Sequence, residues 1–309
     1  MIRMVGKLLA VTFAVAASLH GIPLHAAPFT WASSTGTATS TCAAAQPCGS
    51  LFDALGSTDT GGQINCLNSP GFTTGDIATA RSATVDCVGS LNFFGGAPQL
   101  TLLGTSQTFK VRNLTFTGNG GGSPTAIKVT GSGTLIIENC VFENFPGNAL
   151  DIEPNGAFNL VIKSSRVSNN TSAGVLIKPA AGGSVTATFD GVSITNNAGR
   201  LRTDTTNGAV RVDISNSTIS NNANNGLIAI GGAGGQNMVS VGNGVIASNS
   251  QAGIDASGGN AAVLVNNTLL DSNTAGALSA VSGGRILTYQ NNNIVGSSGT
   301  GFTGTAGPQ

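Results

Sequence analysis

Histidine is missing from all but the start of this chain: its two copies, His20 and His25, both lie in the first 25 residues. That absence excludes imidazole acid–base catalysis, His metal ligation and every Ser-His or Cys-His nucleophile system from the body of the protein. Charge is scarce as well, at 8% of residues. Aromatic residues are 5%, with Trp31 and Tyr289 the single Trp and Tyr, which leaves few flat platforms for stacking sugar rings. No apolar run reaches the ~20 residues that a membrane helix needs. The longest, Leu8 to Leu19, follows the basic residues Arg3 and Lys7 and precedes the small-residue site Leu24-His25-Ala26. That pattern is a secretory signal peptide over residues 1–26, so the mature chain is expected to be secreted or periplasmic, with no membrane span after signal removal. Without Arg3 and Lys7, 11 Lys+Arg stand against 13 Asp+Glu. A chain with no basic surplus is not built for a phosphate backbone, and no nucleic-acid partner is expected.

What the chain does have is a repeat. Asn113, Asn139, Ser164, Gly191, Asn216, Asn243, Asn267 and Asn291 are spaced by 24–27 residues. Apolar columns recur four and two residues before each anchor, as in Leu135 and Ile137 or Val263 and Val265. A third lies three residues after, as in Phe142, Val167, Ile194, Ile219 and Leu270. Six after, the column reads Asn119, Phe145, Asn170, Asn197, Asn222, Asn249, Asn273 and Ser297. A fixed period of this length means a solenoid. Alternation before the anchor, rich in Val, Ile and Thr, means strand. A small residue ten after the anchor, such as Gly174, Gly226 or Gly253, followed by an apolar one, reads as a turn into another short strand, the last beginning at Phe302. The expected fold is all-β: a single-stranded parallel β-helix solenoid of about ten coils of 24–27 residues, with Asn side chains stacked as ladders. Residues 109–309 hold the regular coils. Residues 27–108 hold an N-terminal cap and the first irregular coils, which Ile64 and Val85 open.

These columns resemble right-handed parallel β-helix proteins of the pectin-lyase-like superfamily. Cys42…Pro47-Cys48, Gly62-Gln63-Ile64-Asn65-Cys66-Leu67 and Val85-Asp86-Cys87 look like a set of small secreted bacterial members without assigned activity. The resemblance implies polysaccharide lyases, glycoside hydrolases and uronate epimerases, in which parallel sheets carry the site. The chain lacks the paired Asp-Asp and Gly-His-Gly of polygalacturonases and the Asp-Pro-His of alginate epimerases.

Spacing makes Cys42 with Cys48, and Cys66 with Cys87 about one coil on, the disulfide candidates; Cys140 reads as a buried free thiol. Charges alternate in sign along Arg112, Glu138, Lys163 and Asp190. Lys128 aligns with Asp151, and Glu153 with Lys178, so these eight are expected to be cross-strand pairs. The segment Gly199 to Gly208 followed by Val210-Arg211-Val212-Asp213 reads as an insertion dense in charge. Arg200, Arg202, Asp204, Arg211 and Asp213 are therefore the candidate binding residues, with a minimal lyase site drawn on the same groups. No metal site and no cofactor are expected. The functional reading is an exported, non-catalytic surface or polysaccharide-binding module, partnered by polysaccharide or a cell-surface component. The alternatives are a polysaccharide lyase-type enzyme and a purely structural exported protein, the latter self-associating through its C-terminal edge.

Overall fold

The computed structural model describes residues 27–38, 40–68, 77–93, 100–118, 124–297 and 301–307. The segment assigned to a signal peptide lies outside the described residues, as does Asn119. Each regular coil carries three strands. In one, Gly133–Glu138 runs to the anchor Asn139, Val141–Glu143 follows it, and Leu150–Ile152 comes after a second turn. First and second strands of successive coils join one 19-stranded sheet, bent at the anchors, and third strands stack into a nine-stranded sheet. The pairings are parallel and advance one coil at a time, as Leu160 on Leu135, Ala187 on Leu160 and Val212 on Ala187. The second sheet marks nine coils, and Arg285–Thr288 with Asn293–Val295 begin a tenth.

The anchors bend the chain because they take left-handed backbone: Asn113, Asn139, Ser164, Gly191, Asn216, Asn243 and Asn267 all have φ between 43° and 64°. Asn and Gly tolerate that region best. From Asn139 on, a second left-handed residue comes five positions later, at Asn144, Asn169, Asn196, Asn221, Ser248 and Ser272. The residue after it points inward. Asn170, Asn197, Asn222, Asn249 and Asn273 are all buried, and each Nδ2 donates to the Oδ1 of the Asn one coil on at 2.8–3.1 Å as far as Asn273. That Oδ1 also accepts the backbone N–H of the Asn below. The small column has its reason here. A Cβ added at Gly226 or Gly253 would sit 2.7 Å from the amide nitrogen of Asn249 or Asn273. The three apolar columns fill the interior, and each buried Val, Leu or Ile stabilises by ~1.5–3 kcal/mol.

The N-terminal end is closed by Ala27–Ala32 and the helix Leu51–Ser57. Ser50 caps that helix by accepting from the Asp53 N–H, and Ser-x-x-Asp is the sequence mark of such a cap. The bonds Cys42–Cys48 and Cys66–Cys87 both form, and Cys140 is a buried free thiol that burial pushes up to about 11.

The last coil departs from expectation. Its left-handed residue is Gln290 (φ 66°) rather than Asn291, and Ile286, not Leu287, stacks on Val263. A one-residue slip exchanges the faces of a strand. Ile286 and Thr288 go inside, while Tyr289, expected inward, is 43% exposed. No strand starts at Phe302. The chain instead returns to the first sheet, where Gly304–Thr305 pairs with Leu287 and Thr288.

Candidate functional site

The five candidate residues separate. Arg202 and Asp204 belong to the third strand Leu201–Asp204, with Arg200 just before it. Arg211 and Asp213 belong to the next coil's first strand, Ala209–Ser215, in the other sheet. There they make a loose 3.8 Å pair with side chains 62% and 49% exposed, a geometry worth little. A single groove lined by all five is not what this chain builds.

Nor is the segment an insertion. Leu201 stacks between Val175 and Leu227. It follows its ladder Asn197 by four residues, where Val175 follows Asn170 and Leu227 follows Asn222 by five. The turn is short, and Gly199 makes that feasible: a Cβ there would lie 2.5 Å from the backbone nitrogen of Ala173. As a result Arg200 occupies the place that Gly174 and Gly226 hold in adjacent coils. Its long side chain cannot share the interior with the Asn ladder, so it turns outward.

Outside the second sheet, a cleft of about 430 Å³ lies across the 171–173 and 198–200 turns. Asn148, Ser172, Leu176, Arg200, Arg202 and Asn224 line it. Arg200 Nη1 donates to Asn224 Oδ1 at 2.9 Å, and among the described residues no carboxylate comes within 4 Å of it. Burial and the like charge of Arg202 both make its proton easier to lose than usual, against a weaker pull from Asp255. Arg202 donates to Asp204 Oδ2 at 2.7 Å, and its Nε is buried without a partner. Asp204 is 2% exposed. Burial raises its carboxyl, but hydrogen bonds from Thr206 and Arg202 outweigh that and hold it below the usual range. Asp204 is thus the clamp of a turn and not a free acid.

The cleft lies on an outward column of the second sheet: Lys128, Asp151, Leu176, Arg202, Ile228 and Asp255, each in register with the next. Lys128 bridges Asp151 at 3.3 Å and Glu153 at 3.1 Å. Glu153, expected to reach forward to Lys178, turns back instead. Burial, then the charge of Glu153, raises the Asp151 carboxyl. Asp255 is raised by burial, and Asn225 Nδ2 donates to its Oδ2 at 3.2 Å. On the first sheet Arg112 pairs with Glu138 at 2.8 Å as expected. Lys163, in register between Glu138 and Asp190, closes with neither among the described residues.

The sequence reading missed Asn148, Asn224, Asn225 and Asp255. Asp255 carried a signal: it follows the small residue and the apolar residue that open a third strand, as Asp151 does. The three Asn are hidden by a composition in which Asn is everywhere.

The family described as right handed beta helix region matches residues 94–208. A pectate lyase, Pel9A, superposes with TM-score 0.67 at 17% identity over 91% of this chain and 78% of its own. The chain has the right-handed parallel β-helix fold, shared with that pectate lyase. The A-module of mannuronan C-5 epimerase AlgE6 from Azotobacter vinelandii superposes at TM-score 0.49 and 13% identity, over 81% of this β-helix and 92% of that chain. No curated protein matches the sequence.

Proposed function

We propose that this β-helix is an exported, non-catalytic module that binds polysaccharide along the outer face of its second sheet, seating anionic sugar units at Arg200 and Arg202. The observation that carries this reading is Arg200: a half-buried cation beside a second one, in an open cleft, with no carboxylate closing on it. Like charges held together out of water are costly until an anion arrives. Guanidinium groups suit that task, since their donors match a carboxylate in pairs. Lining residues from Asn148 to Asn224 span four coils, three steps of about 4.8 Å, which suits a short run of a linear glycan. The two disulfides are consistent with export.

The groups present argue against turnover. A lyase needs an unprotonated base to take the sugar's proton, and the cleft offers two guanidinium groups, strongly basic and charged at neutral pH, one of them held by Asp204. The two carboxyls raised by burial, Asp151 and Asp255, stand four coils apart, roughly 19 Å, against about 5–9.5 Å for a hydrolytic pair. Asp151 and Glu153 are close but share the Lys128 ammonium. The fold likeness to a pectate lyase favours lyase activity as the second reading.

Calorimetric titration with polygalacturonate, alginate and a neutral glucan, run beside an absorbance assay for unsaturated product, tests both. We expect binding to at least one polyanion without product, weakened about tenfold or more in R200Q and R202Q. Product formation would establish a lyase, and failure of every polyanion to bind would remove the groove.

A further inference from the structure

We infer that Asp255 is the built-in counter-charge of Arg200, competing with any anionic ligand for that guanidinium, so that neutralising Asp255 strengthens anion binding in the cleft. This rests on the reading of the cleft as an anion site. Two adjacent residues hold the pair: Asn224 accepts from Arg200 through Oδ1 at 2.9 Å, and Asn225 donates to Asp255 through Nδ2 at 3.2 Å. Asn224 and Asn225 are themselves pinned, Nδ2 of the first to Ala198 O at 3.1 Å and Oδ1 of the second by the Ala252 N–H at 3.1 Å. The guanidinium and the carboxylate are therefore held near each other without collapsing into an ion pair. Ile228 and Ser279 flank Asp255 in the strand register. Arg200 is the charged group, among the described residues, whose field acts on it.

The arrangement leaves Arg200 partly compensated while Asp255 is ionised. Burial makes this carboxyl take up a proton more readily than an exposed one, outweighing hydrogen bonds from Ser279 and Asn225 and the charge of Arg200. Acidification then removes the competitor. Asp204, also beside Arg202, is held ionised to lower pH by its own hydrogen bonds. Asp151 stands two strand steps from Arg202, roughly 10 Å, about one Debye length at moderate salt, and the Lys128 ammonium already offsets its charge. Asp255 is the carboxylate whose charge acts on Arg200.

The test uses dextran sulfate, whose charge does not change over the range studied, so that ligand titration plays no part. Its affinity is measured from pH 7.5 to pH 5 for the wild type, D255N, R200Q, the double variant and D213N. The last removes one negative charge on the other sheet and controls for net charge. The expected result is wild-type binding that tightens as pH falls from 7.5 to 5, with D255N about tenfold tighter than wild type at pH 7.5. The D255N affinity should change little with pH, D213N should behave as wild type, and the D255N gain should vanish in the R200Q background. If R200Q abolishes binding while D255N keeps the wild-type affinity and pH profile, the inference falls and the groove stands. If dextran sulfate binds at no pH, both fall together.

Discussion

Asparagine does two different things in each coil, and the difference is in the backbone. The anchor Asn139 is left-handed (φ 54°) and its amide, facing solvent, donates to Asn113 Oδ1 at 2.8 Å. Asn222 is fully buried, takes two hydrogens from Asn197 and gives two, to Asn249 Oδ1 and Ile194 O. Their replacements should separate cleanly. Asn139→Gly keeps the permitted φ and should change stability by less than about 0.5 kcal/mol, whereas Asn139→Val should cost ~1–2 kcal/mol. Asn222→Ala strands several buried groups at ~1–3 kcal/mol each and should cost roughly 3 kcal/mol or more. Urea unfolding measures all three; an Asn222→Ala no worse than Asn139→Val would refute the division. Both Asn columns are plain in the sequence. Which one faces inward is not, because either can bridge coils.

At the scale of strands and turns, the register of the last coil was the place where pattern misled. Leu287 and Tyr289 alternate as well as Ile286 and Thr288 do, and one added residue in the turn decides between them. Ile286→Ala should therefore cost ~2–4 kcal/mol and Tyr289→Ser within about 0.5 kcal/mol, as read by thermal or urea melts; the reverse order would restore the expected register. Arg200, Leu201 and Arg202 looked like inserted loop for the opposite reason: the turn ahead of them lost a residue, so the small column fell on an Arg. The Lys128 bridge makes a prediction with a sign. The Asp151 carboxyl is raised in the folded chain, so its charged form opposes folding above that value and the opposition fades as pH falls. Lys128→Met raises it further. Its defect, about 2 kcal/mol at pH 7 given partial exposure, should shrink when melts are repeated at pH 5; a defect that grows on acidification would contradict the assignment.

Across the whole molecule, coils contact their neighbours and no common centre exists, so stability sums over coils and joints. Removing residues 216–242, one full period from anchor Asn216 to the residue before Asn243, should leave a folded β-helix by circular dichroism with Tm lowered by a few degrees. Removing about half that length, residues 216–228, cuts the third strand Leu227–Ile230 and breaks the register of the coils, and should not. The architecture was readable because every coil repeats the same three apolar columns. The cleft was not, because Asn148, Arg202 and Asn224 come from coils tens of residues apart and meet only through the stack. The inward amides add one more property. Each from Asn170 to Asn249 hands its backbone N–H and one side-chain hydrogen toward the C-terminus and the other side-chain hydrogen back, so a chain cut after any of these coils ends on two buried donors still seeking an oxygen. The rod has a growing end: each finished turn is a template that recruits its successor, an order of assembly matched to a polypeptide that is delivered N-terminus first.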